Sequence, residues 1–174
     1  MKNLSLKWLL VPLVLITLGA SSVWAGESTY TMKTSGSSST TVETNWTAST
    51  ATEDFDSYGA RWLCDATSKT FTITGSASIT GTITKVQVTG RRNKNKAYTI
   101  DCTVGGAALG SQYSHAASSG DYDTDDTFYN SKGLTGTIVI TAVCSGGTSS
   151  SAKGSFWFTS VTVTTSSGAV KTLV

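Results

Sequence analysis

Residues 137–144 read TIVITAVC, an apolar stretch rich in β-branched side chains. In an extended chain the two isoleucines, Ala142 and Cys144 would share one face, and the two valines would lie on the other. A strand that is apolar on both faces is typical of the middle of a sheet that is covered on both sides. We therefore predict that this segment is a central strand.

Two segments on the N-terminal side of this stretch have a simpler pattern. Residues 69–75 and 97–104 alternate apolar side chains with Thr and other polar residues, which predicts half-buried strands. Such segments recur about every ten residues between Gly, Ser and Asn clusters, and no helical periodicity follows residue 25. The chain is therefore predicted to be all-β, with an antiparallel β-sandwich of jelly-roll type.

Two of the predicted strands are irregular. Residues 154–165 place Phe156 and Phe158 on one face but Val161 and Val163 on the other, which predicts that the two ends serve different surfaces. In residues 82–88 the apolar phase slips between Ile83 and Val86. A slip of one residue is the effect of a β-bulge, so we predict one there.

Four segments follow one another in a familiar order, at residues 83–90, 98–106, 136–144 and 158–164. Their strand pattern and turn placement resemble secreted bacterial jelly-roll modules of the galactose-binding-like, carbohydrate-binding type. The resemblance covers about residues 69–165 and includes no diagnostic sugar-binding motif. It implies a jelly-roll fold and, as an expectation, binding of carbohydrate or attachment to a surface.

The first 25 residues have the form of a secretory signal peptide. Lys2 and Lys7 precede an apolar run that ends in a small-residue cleavage motif. The run is too short to cross a bilayer comfortably, and no second apolar stretch of about 20 residues follows, so no membrane anchor is expected. We predict a secreted, extracellular protein with an N-terminal strand and flexible joint at residues 26–39 and one β-sandwich domain at residues 40–174.

Charge is balanced globally and concentrated locally. The formal net charge of +2 comes from the signal peptide, and the remaining chain has equal numbers of acidic and basic residues. A neutral chain has no global attraction to polyanions, so nucleic acid is not an expected partner. Residues 91–96 form a basic hairpin tip and residues 121–126 an acidic run. The tip is a site for phosphate or an anionic glycan, a solvated turn, or a contact with the acidic run of a neighbouring copy.

Three cysteines in an exported chain predict one disulfide and one remaining thiol. Three pairings are possible, and separate buried thiols are the alternative. We favour a bridge between Cys102 and Cys144, because both fall on an inward phase and each is followed shortly by Gly-Gly. Cys64 would then be buried or available for a bond to another chain.

Asp121, Asp123, Asp125 and Asp126 lie within six residues. Oxygen ligands at alternate positions suit Ca²⁺, which takes about six to eight of them, so Ca²⁺ is a candidate cofactor. The loop differs from an EF-hand, because its sixth position is Asp126 and its twelfth is Lys132. A solvated acidic loop without metal is the alternative interpretation.

Aromatic side chains are the candidate ligand-binding residues, because flat rings stack against the C–H faces of sugars. The candidates are Tyr113, Tyr122, Tyr129 and Trp62. The three tyrosines fall in a segment that is predicted to be rich in loops, residues 107–132. For Trp62, packing in the core is the competing interpretation.

Catalysis has little support in the sequence. His115 is the only histidine, which excludes a multi-histidine metal site, and no catalytic triad is evident. We therefore predict a noncatalytic secreted module that binds carbohydrate or a glycan-coated surface. The alternative is a self-assembling subunit of an extracellular fibre, tube or surface layer, whose N-terminal strand completes the sheet of another copy.

Overall fold

The computed structural model describes residues 25–31, 41–43, 46–48, 54–56, 59–64, 68–75, 79, 81–93, 96–117, 120–145 and 154–166. Within these ranges the chain forms strands and no helix, so no described helix is long and apolar enough to cross a membrane. The proposed signal peptide lies outside the described residues except for Ala25. The all-β prediction is confirmed.

Thirteen strands make up the described structure. In chain order they are β1 (Ala25–Thr31), β2 (Thr41–Glu43), β3 (Trp46–Ala48), β4 (Asp54–Asp56), β5 (Gly59–Cys64), β6 (Ser68–Gly75), β7 (Thr82–Asn93), β8 (Ala97–Val104), β9 (Ala107–Ala108), β10 (Tyr113–His115), β11 (Asp121–Leu134), β12 (Ile138–Ser145) and β13 (Gly154–Ser166). They belong to two antiparallel sheets, one with the order β11-β7-β13-β5-β4 and the other with β10-β8-β12-β6-β3-β2.

The connectivity is that of a jelly roll. Strand β5 pairs with β13, β6 with β12, β7 with β11 and β8 with β10, so the pairs are nested along the chain. Successive pairs alternate between the two sheets. An antiparallel ribbon that is rolled up in this way produces two facing sheets, which is the jelly-roll arrangement.

The core lies between the sheets and receives alternate side chains from both of them. Strand β12 lies between β8 and β6, as predicted for the central strand. Its residues Ile138, Ile140, Ala142 and Cys144 are buried, and the intervening positions are half-buried. The alternation predicted for β6 and β8 is also confirmed, with Phe71 and Ile100 pointing inward.

The two ends of β13 serve the same surface, contrary to the prediction. The register of β13 against β7 shifts between Phe158 and Ser160, which leaves Thr159 as an extra residue. This bulge moves the alternation by one position, so Val161 and Val163 enter the same core as Phe158. The bulge predicted in β7 is confirmed. Thr164 pairs with Lys85 and the next residue, Thr165, pairs with Ile83, which leaves Thr84 of β7 as an extra residue.

The disulfide joins Cys64 to Cys144, and Cys102 is a buried free thiol. The predicted bridge between Cys102 and Cys144 is therefore wrong. Both residues do point inward, but they lie on neighbouring strands of one sheet. Cys102 is opposite Ile140, and Cys144 is opposite Tyr98. This offset of four residues separates them by about 13 Å, whereas a disulfide needs α-carbons within about 7 Å. Cys64 comes from the facing sheet.

Strand β1 lies on its own chain. It pairs antiparallel with β13 from Ala25 opposite Ser166 to Thr31 opposite Ser160. Strand β5 pairs with β13 only as far as Phe158, so β1 occupies the part of this edge that β5 leaves. In this structure the N-terminal strand thus extends a sheet of its own chain.

Candidate functional site

The acidic run lies in strand β11, and the basic tip lies beside it in β7. Asp123 is opposite Arg91, Asp125 is opposite Thr89 and Tyr129 is opposite Lys85. The segment predicted to be rich in loops, residues 107–132, thus contains the short strands β9 and β10 and most of the edge strand β11. The charge of Arg91 is compensated within the chain by Asp121 and Asp123, whereas residues 94 and 95 of the predicted tip lie outside the described residues.

Arg91 lies between two carboxylates on the outer surface of this sheet. Its guanidinium nitrogens lie 3.4 Å from Asp121 Oδ2 and 3.4 Å from Asp123 Oδ1. The Asp123 side chain is 83% exposed, so this ion pair lies in solvent and contributes less than about 1 kcal/mol to stability. It places the guanidinium between the two carboxylates on the outer surface.

A second polar pair lies one step further along the same two strands. Gln87 Nε2 donates a 2.7 Å hydrogen bond to Asp125 Oδ1. Beside this pair, the hydroxyl groups of Thr89 and Ser160 are 2.7 Å apart and link β7 to β13. Polar side chains thus connect three neighbouring strands across the outer surface.

Tyr129 ends this row and is the most exposed large hydrophobic side chain of the described residues, at 61%. Strand residues two apart share a face at a spacing of about 7 Å, so Tyr129, Thr127, Asp125 and Asp123 form one line. We define the β11–β7 face as this line and Asp121, which continues it, together with Lys85, Gln87 and Arg91 on β7. It presents an aromatic ring beside fixed donors and acceptors.

The chemistry of the β11–β7 face suits a polyhydroxylated ligand. An exposed ring offers a stacking surface for C–H groups. Carboxylate and amide oxygens accept hydrogen bonds, and amide and guanidinium N–H groups donate them. A sugar hydroxyl can do both and can therefore bridge neighbouring groups of the row.

Tyr122 lies apart from Tyr129. The two residues are seven positions apart, an odd number, so they point to opposite faces of β11. Tyr122 is 49% exposed, and the Arg92 guanidinium carbon lies 5.1 Å from the centre of its ring. Two of the predicted tyrosines are therefore exposed, as a sugar-binding role requires, but they do not form one site.

Tyr113 is half-buried and Trp62 is buried. The ring of Tyr113 packs edge-on against Phe128 at 5.2 Å, and its hydroxyl donates a 2.7 Å hydrogen bond to the Thr127 carbonyl. Trp62 is 1% exposed and packs between Phe71 and Phe158, with ring centres 5.7 and 4.9 Å away. Trp62 cannot reach a ligand from this position, so its predicted binding role is wrong.

Asp126 points inward and is paired across the open edge of the sandwich. His115, on the edge strand of the other sheet, donates from Nε2 to the carboxylate at distances of 2.9 and 3.1 Å. The carboxylate side chain is 2% exposed. Burial raises the pKa of Asp126, the hydrogen bond from His115 opposes this shift, and the charge of Asp125 adds to it.

The raised pKa of Asp126 predicts a pH dependence of stability. The folded protein holds the proton more tightly than the unfolded chain, so the contribution of Asp126 to stability falls as pH rises from 3.8 through the raised pKa. We expect Asp126→Asn to remove this loss, because an amide oxygen still accepts from His115. The free energy of unfolding of the variant, relative to wild type, should therefore increase with pH in urea titrations. A difference that is the same at every pH would contradict this account.

The four aspartates predicted to bind Ca²⁺ do not converge. Asp121, Asp123 and Asp125 lie on the outer face of β11, where Asp121 and Asp123 contact Arg91. Asp126 points to the opposite face. Among the described residues no group of three or more His, Cys, Asp and Glu side chains is placed to hold a metal.

Sequence reasoning missed Lys85 and Gln87 as members of this row, and it considered Arg91 only as part of a basic hairpin tip. The available signal was charge complementarity between two segments. Residues 85–91 and 121–129 place basic or amide groups and acidic groups at alternate positions, as cross-strand partners do. Recognising that pairing would have identified residues 121–129 as a strand.

No protein-family model and no curated protein matches this chain. Among solved structures it is similar to TmCBM61 in complex with β-1,4-galactotriose, with a TM-score of 0.39 and 17% identity over 59% of this chain and 67% of that one. It is also similar to the carbohydrate-binding module CBM36 in complex with calcium and xylotriose, with a TM-score of 0.39 and 15% identity over 79% and 98% of the two chains. A third similarity is to infectious bursal disease virus Gt strain, with a TM-score of 0.48 and 13% identity over 84% of this chain and 33% of that one. The resemblance to jelly-roll carbohydrate-binding modules is confirmed at this low level, and it carries no argument about the ligand.

Proposed function

We propose that this chain is a noncatalytic carbohydrate-binding module that binds glycans on the β11–β7 face. The observation that carries the proposal is the exposed ring of Tyr129 in line with the hydrogen-bonded pair of Gln87 and Asp125. The ring supplies a stacking surface, and the pair supplies fixed hydrogen-bonding groups for sugar hydroxyls.

Preorganisation favours binding to this face. The hydrogen bond between Gln87 and Asp125 and the contacts of Arg91 with Asp121 and Asp123 restrict these side chains before a ligand binds. A ligand therefore pays less of the entropy cost of ordering side chains, which is about 0.5–1.5 kcal/mol for each side chain immobilised on binding. The network also lies on paired strands, which hold their positions better than loops do.

The charge of the face selects among glycans. Its outward row on β11 contributes the carboxylates of Asp121, Asp123 and Asp125, and β7 contributes the cations of Lys85 and Arg91. An excess of negative charge repels polyanionic chains at short range. We therefore assign neutral oligosaccharides to the β11–β7 face.

Tyr129→Ala is the direct test of this proposal. Truncating an aromatic residue that anchors a ligand costs about 2 kcal/mol or more, so affinity for a neutral oligosaccharide should fall at least about tenfold. A neutral glycan array identifies the tightest ligand, and calorimetric titration measures the affinity. Tyr122→Ala is the matched control, because it removes the same side chain from the opposite face of the same strand.

The outcomes of this test are distinct. Equal loss in both variants, or loss only in Tyr122→Ala, would contradict the assignment to this face. Failure of the wild type to bind any neutral glycan would remove the proposed function. The titration is repeated with Ca²⁺ and after chelation. We expect the same affinity in each case, because Arg91 already bridges two of the candidate carboxylates.

Export remains part of the proposal. The Cys64–Cys144 disulfide supports it, because such bonds persist in oxidising compartments and are rare in reducing ones. A glycan-binding surface on an exported module would meet polysaccharides or cell-surface polymers outside the cell.

A further inference from the structure

Arg91 and Arg92 are neighbours in sequence but point to opposite faces of β7. Arg91 lies opposite Asp123, and Arg92 lies opposite Tyr122. The side chain of Arg92 therefore belongs to the end of the sandwich, beside the exposed ring of Tyr122. We define this pair, together with the Ala116 carbonyl, as the Tyr122 corner.

Arg92 differs from Arg91 in its partners. Its Nη1 donates a 2.6 Å hydrogen bond to the Ala116 carbonyl, and its guanidinium stacks on the Tyr122 ring at 5.1 Å. Arg91 is bridged by two carboxylates. Among the described residues Arg92 has no carboxylate partner, and its Nε is buried without an acceptor. Arg92 is therefore a positioned cation whose charge no described residue neutralises.

The surroundings of Arg92 strengthen its field. The side chain is half-buried, and its charge acts on the buried Tyr98, where it opposes the increase in pKa that burial causes. Partial removal of water lowers the local dielectric constant and makes an interaction with an anion stronger than at a fully exposed site. The carboxylate of Asp126 is already engaged by His115.

We propose that the Tyr122 corner is a second binding site, which takes the carboxylate of an acidic sugar. The guanidinium of Arg92 would bind the carboxylate through N–H groups that point away from Ala116, and the ring of Tyr122 would contact the sugar. Arginine and a carboxylate form parallel hydrogen bonds of matching geometry. The inference shares with the proposed function only the premise that the chain binds glycans, and it concerns a different face and a different ligand charge.

The test uses trigalacturonate as the probe and its methyl ester as the ligand-side control. Esterification removes the negative charge and keeps the sugar ring, so this comparison is made on the unmodified protein. Hydrogen bonds to charged groups contribute about 1.5–3 kcal/mol, so we expect the ester to bind at least about tenfold more weakly. Equal affinities for acid and ester would overturn the proposal.

Two protein variants locate the site. Arg92→Gln should weaken binding of trigalacturonate at least about tenfold, and Tyr122→Ala should weaken it too. Arg91→Gln is the matched control, because it removes the neighbouring guanidinium from the opposite face and should not weaken binding. Loss that is equal in Arg91→Gln and Arg92→Gln would indicate a general charge effect and overturn the assignment.

Two competition experiments complete the test. The neutral ligand of the β11–β7 face should not displace trigalacturonate, because the two sites lie on opposite faces of β11. Inorganic phosphate that binds as tightly as trigalacturonate, with no effect of Tyr122→Ala on either, would identify a simple anion site and overturn the sugar assignment. If the protein binds trigalacturonate but no neutral glycan, the proposed neutral-glycan site on the β11–β7 face is rejected and the Tyr122 corner is not.

Discussion

Replacing both Cys64 and Cys144 with serine should lower the free energy of unfolding by about 2–5 kcal/mol. The bridge joins the two sheets and closes a loop across a sequence separation of 80 residues. The loop-entropy relation gives about 4.5 kcal/mol for such a loop. Urea unfolding of oxidised wild type and of the double variant, followed by circular dichroism, measures the difference.

The third cysteine provides the matched control. Cys102 is buried on β8, and burial raises the pKa of its thiol to about 12. The thiolate, which is the nucleophilic form, is therefore suppressed, and the residue behaves as a small apolar side chain. We expect Cys102→Ala to have a much smaller effect than the double variant and to leave the disulfide intact. A loss of stability in Cys102→Ala equal to that of the double variant would contradict this assignment.

Trp62→Ala should cost about 3–5 kcal/mol of stability, the range for truncating a large buried aromatic residue. The side chain is 1% exposed and contacts Phe71 from the facing sheet as well as Phe158 from its own. Its loss would leave a cavity between the sheets that the strands cannot close without moving. Urea unfolding again measures the effect.

Trp62→Phe separates a packing role from a polar one. The indole Nε1 is buried without a hydrogen-bond partner, so phenylalanine loses volume but no hydrogen bond. We expect this variant to be clearly more stable than Trp62→Ala and to bind glycans as the wild type does. A selective loss of glycan affinity in Trp62→Phe, with stability unchanged, would instead support the ligand-binding role first predicted for Trp62.

The strands that were predicted well are those with apolar residues on every inward position. Strand β12 and its neighbours β6 and β8 have this pattern, and the alternation of the pleat follows from it directly. Strand β11 was mistaken for a loop because two of its inward positions, Thr124 and Asp126, are polar. Asp126 is accommodated there by His115 from the other sheet, a partner that its own segment does not reveal.

Cysteine pairing and the phase of β13 also depended on tertiary contacts. An inward phase places Cys102 and Cys144 on the core side, but it does not tell which strands are neighbours or how far they are offset. The change of phase in β13 indicated two surfaces, whereas the bulge at Thr159 returns both ends to one core. A bulge and a switch of surface leave the same local pattern, and only the partner strand distinguishes them.

The sequence by itself determined the all-β class, the antiparallel sandwich and the central position of β12, because these follow from side-chain alternation within single strands. Only the tertiary structure decided that Arg91 meets two carboxylates while Arg92 meets a ring and a carbonyl. The physical reason is that alternation is a property of one strand, whereas charge compensation, disulfide pairing and exposure depend on which strands lie side by side and in what register.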